Sequence, residues 1–93
     1  MAQNDPSLPN STGLYTCPVC GNDALKRPPY DEYDGATFSI CPCCGIEFGY
    51  DDSRSSHSVL REEWIASGMK WWSSRNLAPE GWDPIAQLRR AGF

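Results

Sequence analysis

Apolar and polar residues alternate in short runs over the first half of the chain. Residues 14–16 (LYT) and 24–25 (AL) are β-prone, and residues 36–40 (ATFSI) and 46–50 (IEFGY) place apolar side chains at every second position. Alternation with a period of two is typical of half-buried strands. The pattern therefore predicts a small antiparallel β-unit over residues 14–50.

The spacing of apolar residues becomes helical after residue 50. Residues 51–58 (DDSRSSHS) are rich in Asp and Ser, which is typical of a loop that ends in a helix cap. Leu60 and Trp64 then lie four positions apart, on one face of a helix. These features predict a helix over about residues 59–67, with Gly68 as its C-terminal cap.

A second helical segment is predicted near the C-terminus. Asp83 can accept hydrogen bonds from the first helical turn, and Pro84 suits the first position because its missing N–H is not needed there. Gly92 can end the segment. Together the two segments form a predicted helical extension over residues 56–93.

The length of the chain favours one domain preceded by a tail. Residues 1–13 (MAQNDPSLPNSTG) are polar and contain two prolines, so they bury little apolar surface and we expect them to be flexible. Residues 14–93 form the predicted single domain. A core of this size supplies only about 3–5 kcal/mol of stability. An additional stabilising element is therefore expected.

Two nearly identical pentapeptides contain all five cysteines. Residues 17–21 read CPVCG and residues 41–45 read CPCCG, and they differ only where Val19 corresponds to Cys43. No secretory signal is visible at the N-terminus, so we expect a cytoplasmic protein whose thiols stay reduced and bind metal. If both turns have the same role, the metal ligands are the first and fourth cysteines of each turn: Cys17, Cys20, Cys41 and Cys44.

Paired C-x-x-C turns are typical of a tetrahedral zinc site, with Zn–S distances of about 2.3 Å. Four cysteine ligands leave no open position for water or substrate, which predicts a structural role for the metal. Iron is the alternative cofactor, because rubredoxin-type sites also use CP-x-CG turns and thiolates suit both metals. Zinc is favoured by the short spacing and the helical C-terminal half. We predict an α+β fold, with a zinc-ribbon-like or rubredoxin-like β-unit and a helical C-terminal extension.

Cys43 and the tryptophans each have two interpretations. Cys43 is a small half-buried thiol beside the site, or else a redox-sensitive thiol or an alternative ligand. Tryptophans can build much of a small core, but two adjacent ones cannot point the same way, so one should reach the surface. Exposed tryptophan is enriched at protein interfaces. We therefore predict a partner surface near residues 69–82 that includes Trp71, Trp72 and Trp82.

The charge of the chain disfavours nucleic acid as a partner. The formal net charge is −4, and the basic residues are scattered rather than gathered into a stripe. A nucleic-acid binder relies on neutralising phosphates with clustered cations. No apolar stretch is long enough to cross a bilayer, and no nucleophile or base stands at a recognisable spacing. We therefore expect a protein partner, no membrane association and no enzymatic activity.

Several motifs in order resemble a known family. "YTCPVCG", "LKRPPYDEY", "ICPCCGIEFGYDD", "LREEWIASGMKWW" and "PEGWDPIAQL" are together similar to the bacterial cysteine-rich CPCC family, over about residues 14–91. The resemblance implies a small zinc-binding domain and maps the family's metal-binding cysteines onto Cys17, Cys20, Cys41 and Cys44. A role as the immunity partner of a secreted toxin is a further alternative for proteins of this type.

These observations lead to one hypothesis and three alternatives for function. The hypothesis is a non-enzymatic zinc-binding protein with a structural four-cysteine site that acts through protein contacts. The alternatives are a rubredoxin-like iron protein for electron transfer, a toxin-immunity protein and a nucleic-acid-binding zinc ribbon.

Overall fold

A computed structural model describes residues 7–31, 33 and 35–93. Within this part of the chain, the regular elements are a single 3-10 turn and two α-helices. The 3-10 turn covers Asp51–Ser53, helix α1 covers His57–Ala66 and helix α2 covers Pro84–Arg90. The remaining described residues form turns and irregular segments around the five cysteines.

The predicted antiparallel β-unit is wrong, and with it the zinc-ribbon-like or rubredoxin-like fold class. Backbone pairing among the described residues is limited to three isolated antiparallel bridges, and no sheet forms. The three bridges join one residue pair each: Tyr15 with Leu25, Tyr30 with Ala36, and Ile40 with Glu47.

The backbone around Phe38 shows why alternation did not produce a strand. Phe38 has a φ of 58°, in the left-handed region that strands do not use. Its N–H donates to the carbonyl oxygen of Phe48, while the N–H of Phe48 donates to Ser39, so two residues oppose one. This offset interrupts the pairing, which resumes as the single bridge between Ile40 and Glu47. The side chains of Phe38 and Ile40 are also exposed rather than half-buried. Alternating side chains were therefore a local pattern without the backbone pairing that makes a sheet.

Helix α1 begins two residues before the predicted start. The Ser56 hydroxyl accepts a hydrogen bond from the N–H of Val59, which caps the first turn. Leu60 and Trp64 are the buried residues of the helix, as their four-residue spacing indicates. Gly68, at a φ of 105°, follows the helix and turns the chain.

Helix α2 begins at the predicted Asp-Pro pair. The carboxylate of Asp83 accepts hydrogen bonds from the N–H groups of Ile85 and Ala86. Gln87 and Leu88 are its buried residues. A buried glutamine on a short helix is unusual, and its partners lie in the cysteine turns described below.

The buried core is centred on the two cysteine turns rather than on a sheet. Leu60 and Trp64 from α1 and Leu88 from α2 join one buried cluster with the cysteines and Phe48. Trp71 and Trp82 pack against this cluster with their ring centroids 5.2 Å apart, edge to face. The cysteines therefore lie where the helical half meets the rest of the chain.

The predicted flexible tail lies partly outside the described residues. Residues 1–6 are not described, whereas the side-chain amide of Asn10 donates to the carbonyl oxygen of Asp23 over 2.8 Å. The division into a tail and one domain over residues 14–93 stays a prediction. In the described part of the chain, neither helix has the length and apolar character that crossing a membrane requires.

Candidate metal centre

Each cysteine pentapeptide folds into a tight turn closed by its glycine. The N–H of Gly21 donates to the carbonyl oxygen of Cys17 over 3.0 Å, and the N–H of Gly45 donates to that of Cys41 over 2.8 Å. Both glycines have φ near +80°, at 84° and 79°, where side chains are strained. We call residues 17–21 the first knuckle and residues 41–45 the second knuckle.

The two knuckles bring four sulfur atoms together. The Sγ atoms of Cys17, Cys20, Cys41 and Cys44 all lie within 4.8 Å of one another. Two of the separations are 3.8 Å, from Cys17 to Cys44, and 3.7 Å, from Cys20 to Cys41. A tetrahedral zinc site with Zn–S bonds of about 2.3 Å has sulfur–sulfur edges of about 3.8 Å. A disulfide would need about 2.05 Å. The four cysteines are thus positioned to bind one metal ion.

The site is enclosed on most sides by protein. Cys17, Cys20 and Cys41 are fully buried, at 0% exposure, and Cys44 is partly exposed. Buried thiolates without a cation would carry a large desolvation cost, so the chemistry of the donor set fits a divalent ion. His57 is not part of this group, because its Nε2 faces the hydroxyl of Tyr30 at 2.7 Å and the carboxylate of Asp52 at 3.1 Å.

Hydrogen bonds among the sulfurs shift the pKa values of three of the four thiols, Cys20, Cys41 and Cys44. Hydrogen bonds from Cys17, Cys20 and Cys44 lower the pKa of Cys41 well below the ordinary value of a thiol. Hydrogen bonding with Cys17 is the largest cause that raises the pKa of Cys20, and it also leads the rise for Cys44. A bound cation replaces the shared protons and stabilises all four thiolates.

Amide groups near the sulfurs add further positive dipoles. The N–H of Val19 donates to the sulfur of Cys17 over 3.4 Å. The side-chain amide of Asn22, which is buried, points at the sulfur of Cys41 from 3.8 Å. Groups of this kind orient metal ligands and reduce the charge on their sulfur atoms.

Comparison with known proteins places the chain among small bacterial relatives. It is 32% identical to the uncharacterized protein YozI of Bacillus subtilis over 85 aligned residues, covering 72% of this chain and 69% of YozI. The chain belongs to the family of YozI. A second relative, the uncharacterized protein YoaQ of the same organism, is 34% identical over 71 residues, covering 59% of this chain and 60% of YoaQ.

These matches classify the chain as a member of the YozI family. No family model and no solved structure matches the chain. The more specific resemblance to the CPCC family therefore stays a prediction. The match with YoaQ spans about three fifths of the length of that protein.

Arg61 of this YozI-family chain ties helix α1 to the first knuckle. Its Nε donates to the carbonyl oxygen of Val19 and its Nη2 to that of Pro18, each over 2.8 Å. The guanidinium carbon lies 3.5 Å from the centre of the Phe93 ring. Burial lowers the pKa of Arg61, while the charges of Cys17 and Cys20 oppose that shift. Sequence analysis missed this residue, because its partners lie 42 and 43 positions away.

Cys43 lies beside the metal group without joining it. The thiol is fully buried, and the side-chain amide of Gln87 donates to its sulfur over 3.4 Å and to the carbonyl oxygen of Cys20 over 3.0 Å. The indole N–H of Trp82 in turn donates to Gln87 over 2.8 Å. Redox-sensor cysteines are accessible to solvent, so complete burial does not favour that role here.

The three tryptophans predicted as a partner surface divide into two kinds. Trp71 and Trp82 are partly buried against the core, whereas the Trp72 side chain is 58% exposed. The N–H of Trp72 donates to the carbonyl oxygen of Cys43 over 2.9 Å. Its indole covers Gly45, where a Cβ atom would lie 2.5 Å from the Cδ1 of Trp72. Trp72 thus combines an exposed aromatic face with a fixed position over the second knuckle.

Proposed function

We propose that this protein is a non-enzymatic interaction module whose fold is stabilised by one Zn²⁺ ion. Cys17, Cys20, Cys41 and Cys44 would hold the ion, and the sulfur separations of 3.7 and 3.8 Å carry this proposal because they match a tetrahedral site. Both knuckles contribute two ligands each. The ion would therefore link two turns whose nearest ligands, Cys20 and Cys41, are separated by 20 residues of the chain.

A structural role follows from the saturated donor set. Four sulfur ligands complete a tetrahedral zinc ion, so no position is left for water or substrate. Structural zinc contributes about 10–16 kcal/mol of apparent binding free energy in zinc-finger peptides. The buried core is small, and the cysteines themselves make up much of it. The ion then supplies more stability than the apolar contacts do.

Zinc is proposed over iron because of the short spacing of the cysteines and the helical C-terminal half of the chain. Thiolate ligands suit both metals, so the sulfurs alone do not choose between them. The isolated bridges among the described residues do not choose between the metals either, because the expected β-unit was zinc-ribbon-like or rubredoxin-like. What remains in favour of iron is the CP-x-CG sequence of the knuckles.

Exposed apolar residues next to the second knuckle support a role in protein contacts. The side chains of Trp72 and Leu77 are 58% and 76% exposed, and both belong to the segment after α1. This segment is held to the second knuckle by the N–H of Trp72 on Cys43 and the N–H of Ser73 on Pro42, each over 2.9 Å. A rigid apolar surface loses little conformational entropy when a partner binds.

Metal analysis of the natively purified protein tests the first half of the proposal. We expect a colourless protein with about one zinc per chain and no stoichiometric iron. A red protein with stoichiometric iron would overturn the zinc assignment and favour electron transfer.

Affinity purification from the native source tests the second half. The wild-type chain should retain a stoichiometric protein partner that a Trp72→Ala/Leu77→Ala variant loses. Tyr33→Ala is the matched control, because Tyr33 is an exposed aromatic residue in a different segment. Equal retention by both variants would count against the proposed surface.

A further inference from the structure

A groove of about 400 Å³ lies between the first-knuckle exit, the second knuckle and the segment that follows α1. Three stretches of chain form its walls, within residues 22–27, 39–42 and 71–79. Two of the lining residues are cations, Lys26 and Arg27. Ile40, Trp71 and Leu77 line the groove with large apolar side chains.

Large apolar side chains in the walls of the groove are accessible to a ligand. Ile40 and Leu77 are both large exposed hydrophobic residues, at 47% and 76% exposure. The indole N–H of Trp71 is already used, because it donates to the carbonyl oxygen of Asn76 over 2.6 Å. Trp71 therefore presents its ring to the groove as an apolar surface.

The charged residues along the groove are both cations. Lys26 and Arg27 line it, and no carboxylate does so among the residues that the structure describes. The ion pairs found in that part of the chain also leave out both cations, since they join His57 to Asp52 and Arg90 to Asp23. This local positive charge stands out on a protein whose net charge is −4. The groove is therefore complementary to a ligand that is apolar and anionic.

We propose that this groove docks a short segment of a partner protein that carries Asp or Glu beside large apolar side chains. The proposal rests on the proposed function and names the chemistry of its partner. A groove built from three separate stretches suits an extended segment, with apolar side chains against Trp71 and Leu77 and a carboxylate near Lys26 or Arg27. A nucleic acid fits less well, because the remaining surface of the protein is acidic and repels phosphates.

The metal centre supports this groove directly. Pro42 belongs to the second knuckle and also lines the groove. The N–H of Ser73 donates to the carbonyl oxygen of Pro42 and fixes the wall that contains Trp71 and Leu77. The groove should therefore be tested in the zinc-loaded full chain.

The test is selection of binders from a displayed library of random short peptides against the zinc-loaded full chain. We expect selected peptides to be enriched in Asp or Glu together with Leu, Ile, Phe or Trp. NMR spectra of the labelled protein should place the chemical-shift changes at Lys26, Arg27, Ile40, the Trp71 indole and Leu77. Peptides without an acidic preference, or shift changes elsewhere, would overturn the proposal.

A charge-reversal pair provides the matched control. Lys26→Glu/Arg27→Glu should weaken binding of a selected peptide by about tenfold or more, since charge pairs at interfaces can contribute over 1.4 kcal/mol. Lys70→Glu/Arg89→Glu makes the same change in net charge at two exposed cations outside the groove and should leave binding within about twofold. If both pairs of substitutions weakened peptide binding equally, the effect would come from net charge alone, and the proposed docking in the groove would be refuted.

The same samples separate this proposal from the proposed function. A folded chain with one zinc that selects no acidic peptides overturns the groove alone, and the zinc-stabilised module stands. A chain that takes up no zinc overturns both. An oligothymidylate could instead bind more tightly than any selected peptide and lose that binding in Lys26→Glu/Arg27→Glu. That result would refute a peptide ligand and favour a nucleic acid.

Discussion

Arg61 Nε donates a 2.8 Å hydrogen bond to the carbonyl oxygen of Val19, which connects helix α1 to the first knuckle across 42 residues of sequence. The same guanidinium donates to Pro18 and lies over the ring of Phe93. Three separate parts of the chain therefore meet at one side chain. This side chain therefore links the helical half of the chain to the candidate metal centre.

Replacement of Arg61 should destabilise the zinc-loaded protein. Arg61→Met removes two charge-assisted hydrogen bonds to carbonyl oxygens, and we expect a loss of about 2–4 kcal/mol in the free energy of unfolding. Arg61→Lys keeps the charge but loses the paired geometry, so its loss should be intermediate. Urea unfolding of the zinc-loaded variants measures these values.

Arg89→Met is the control for Arg61→Met. Arg89 is exposed in the last turn of α2, where its charge contributes at most about 1 kcal/mol through the helix dipole. If Arg61→Met costs no more than Arg89→Met, the link between α1 and the first knuckle has no energetic weight.

The two kinds of cysteine should respond differently to the same substitution. Cys20→Ser removes one of the four sulfurs, so we expect metal content to fall below half and residues 14–93 to unfold. Cys43 lies in the second knuckle but outside the group of four sulfurs, so Cys43→Ser should keep one metal per chain. Its new hydroxyl can still accept the hydrogen bond from Gln87 that now reaches the Cys43 sulfur. Equal metal loss in both variants, measured by elemental analysis, would refute the ligand assignment.

The contact between Gly45 and Trp72 should appear as a coupling energy. Gly45→Ala suffers both a positive φ and a clash with the indole, whereas Gly81→Ala has a similar φ, at 75°, and open space. Alanine at such a φ costs about 1–2 kcal/mol, and the clash should add about 1–3 kcal/mol at Gly45 alone. Urea unfolding of the zinc-loaded variants should resolve this difference.

A double-mutant cycle isolates the clash at Gly45. In a Trp72→Ala background, the penalty for Gly45→Ala should fall toward that of Gly81→Ala, because the indole is gone. A penalty at Gly45 that Trp72→Ala leaves unchanged would contradict the packing of the indole over the second knuckle.

The repeated pentapeptide identified the sulfur group from sequence because its signal is local. Cys17 and Cys20 stand in one turn, Cys41 and Cys44 in another, and the match between the turns separates Cys43 from the rest. The helix caps at Ser56 and Asp83 are equally local, since each side chain acts on N–H groups two or three residues away. Features of this kind can be predicted without knowing the fold.

The absence of a sheet and the long-range contacts of Gln87 could not be predicted from the sequence, because they depend on how distant parts of the chain fold together. Alternation over residues 36–40 specifies side-chain spacing, but it does not specify the left-handed φ of Phe38 or its offset pairing with Phe48. Gln87 reaches Cys20 across 67 residues, and its short helix gives no sign of that partner. Long-range contacts to backbone carbonyls are not specified by residue type, so one sequence does not reveal them.

We propose that one ion bound by the four sulfurs holds this small chain together. The most direct measurement is the NMR spectrum of the zinc-loaded full chain before and after removal of the metal by a chelator, and again after zinc is restored. We predict that the dispersed amide signals of both knuckles and of α1 and α2 collapse on removal and return with zinc. A dispersed spectrum that survives complete removal of the metal would contradict the claim.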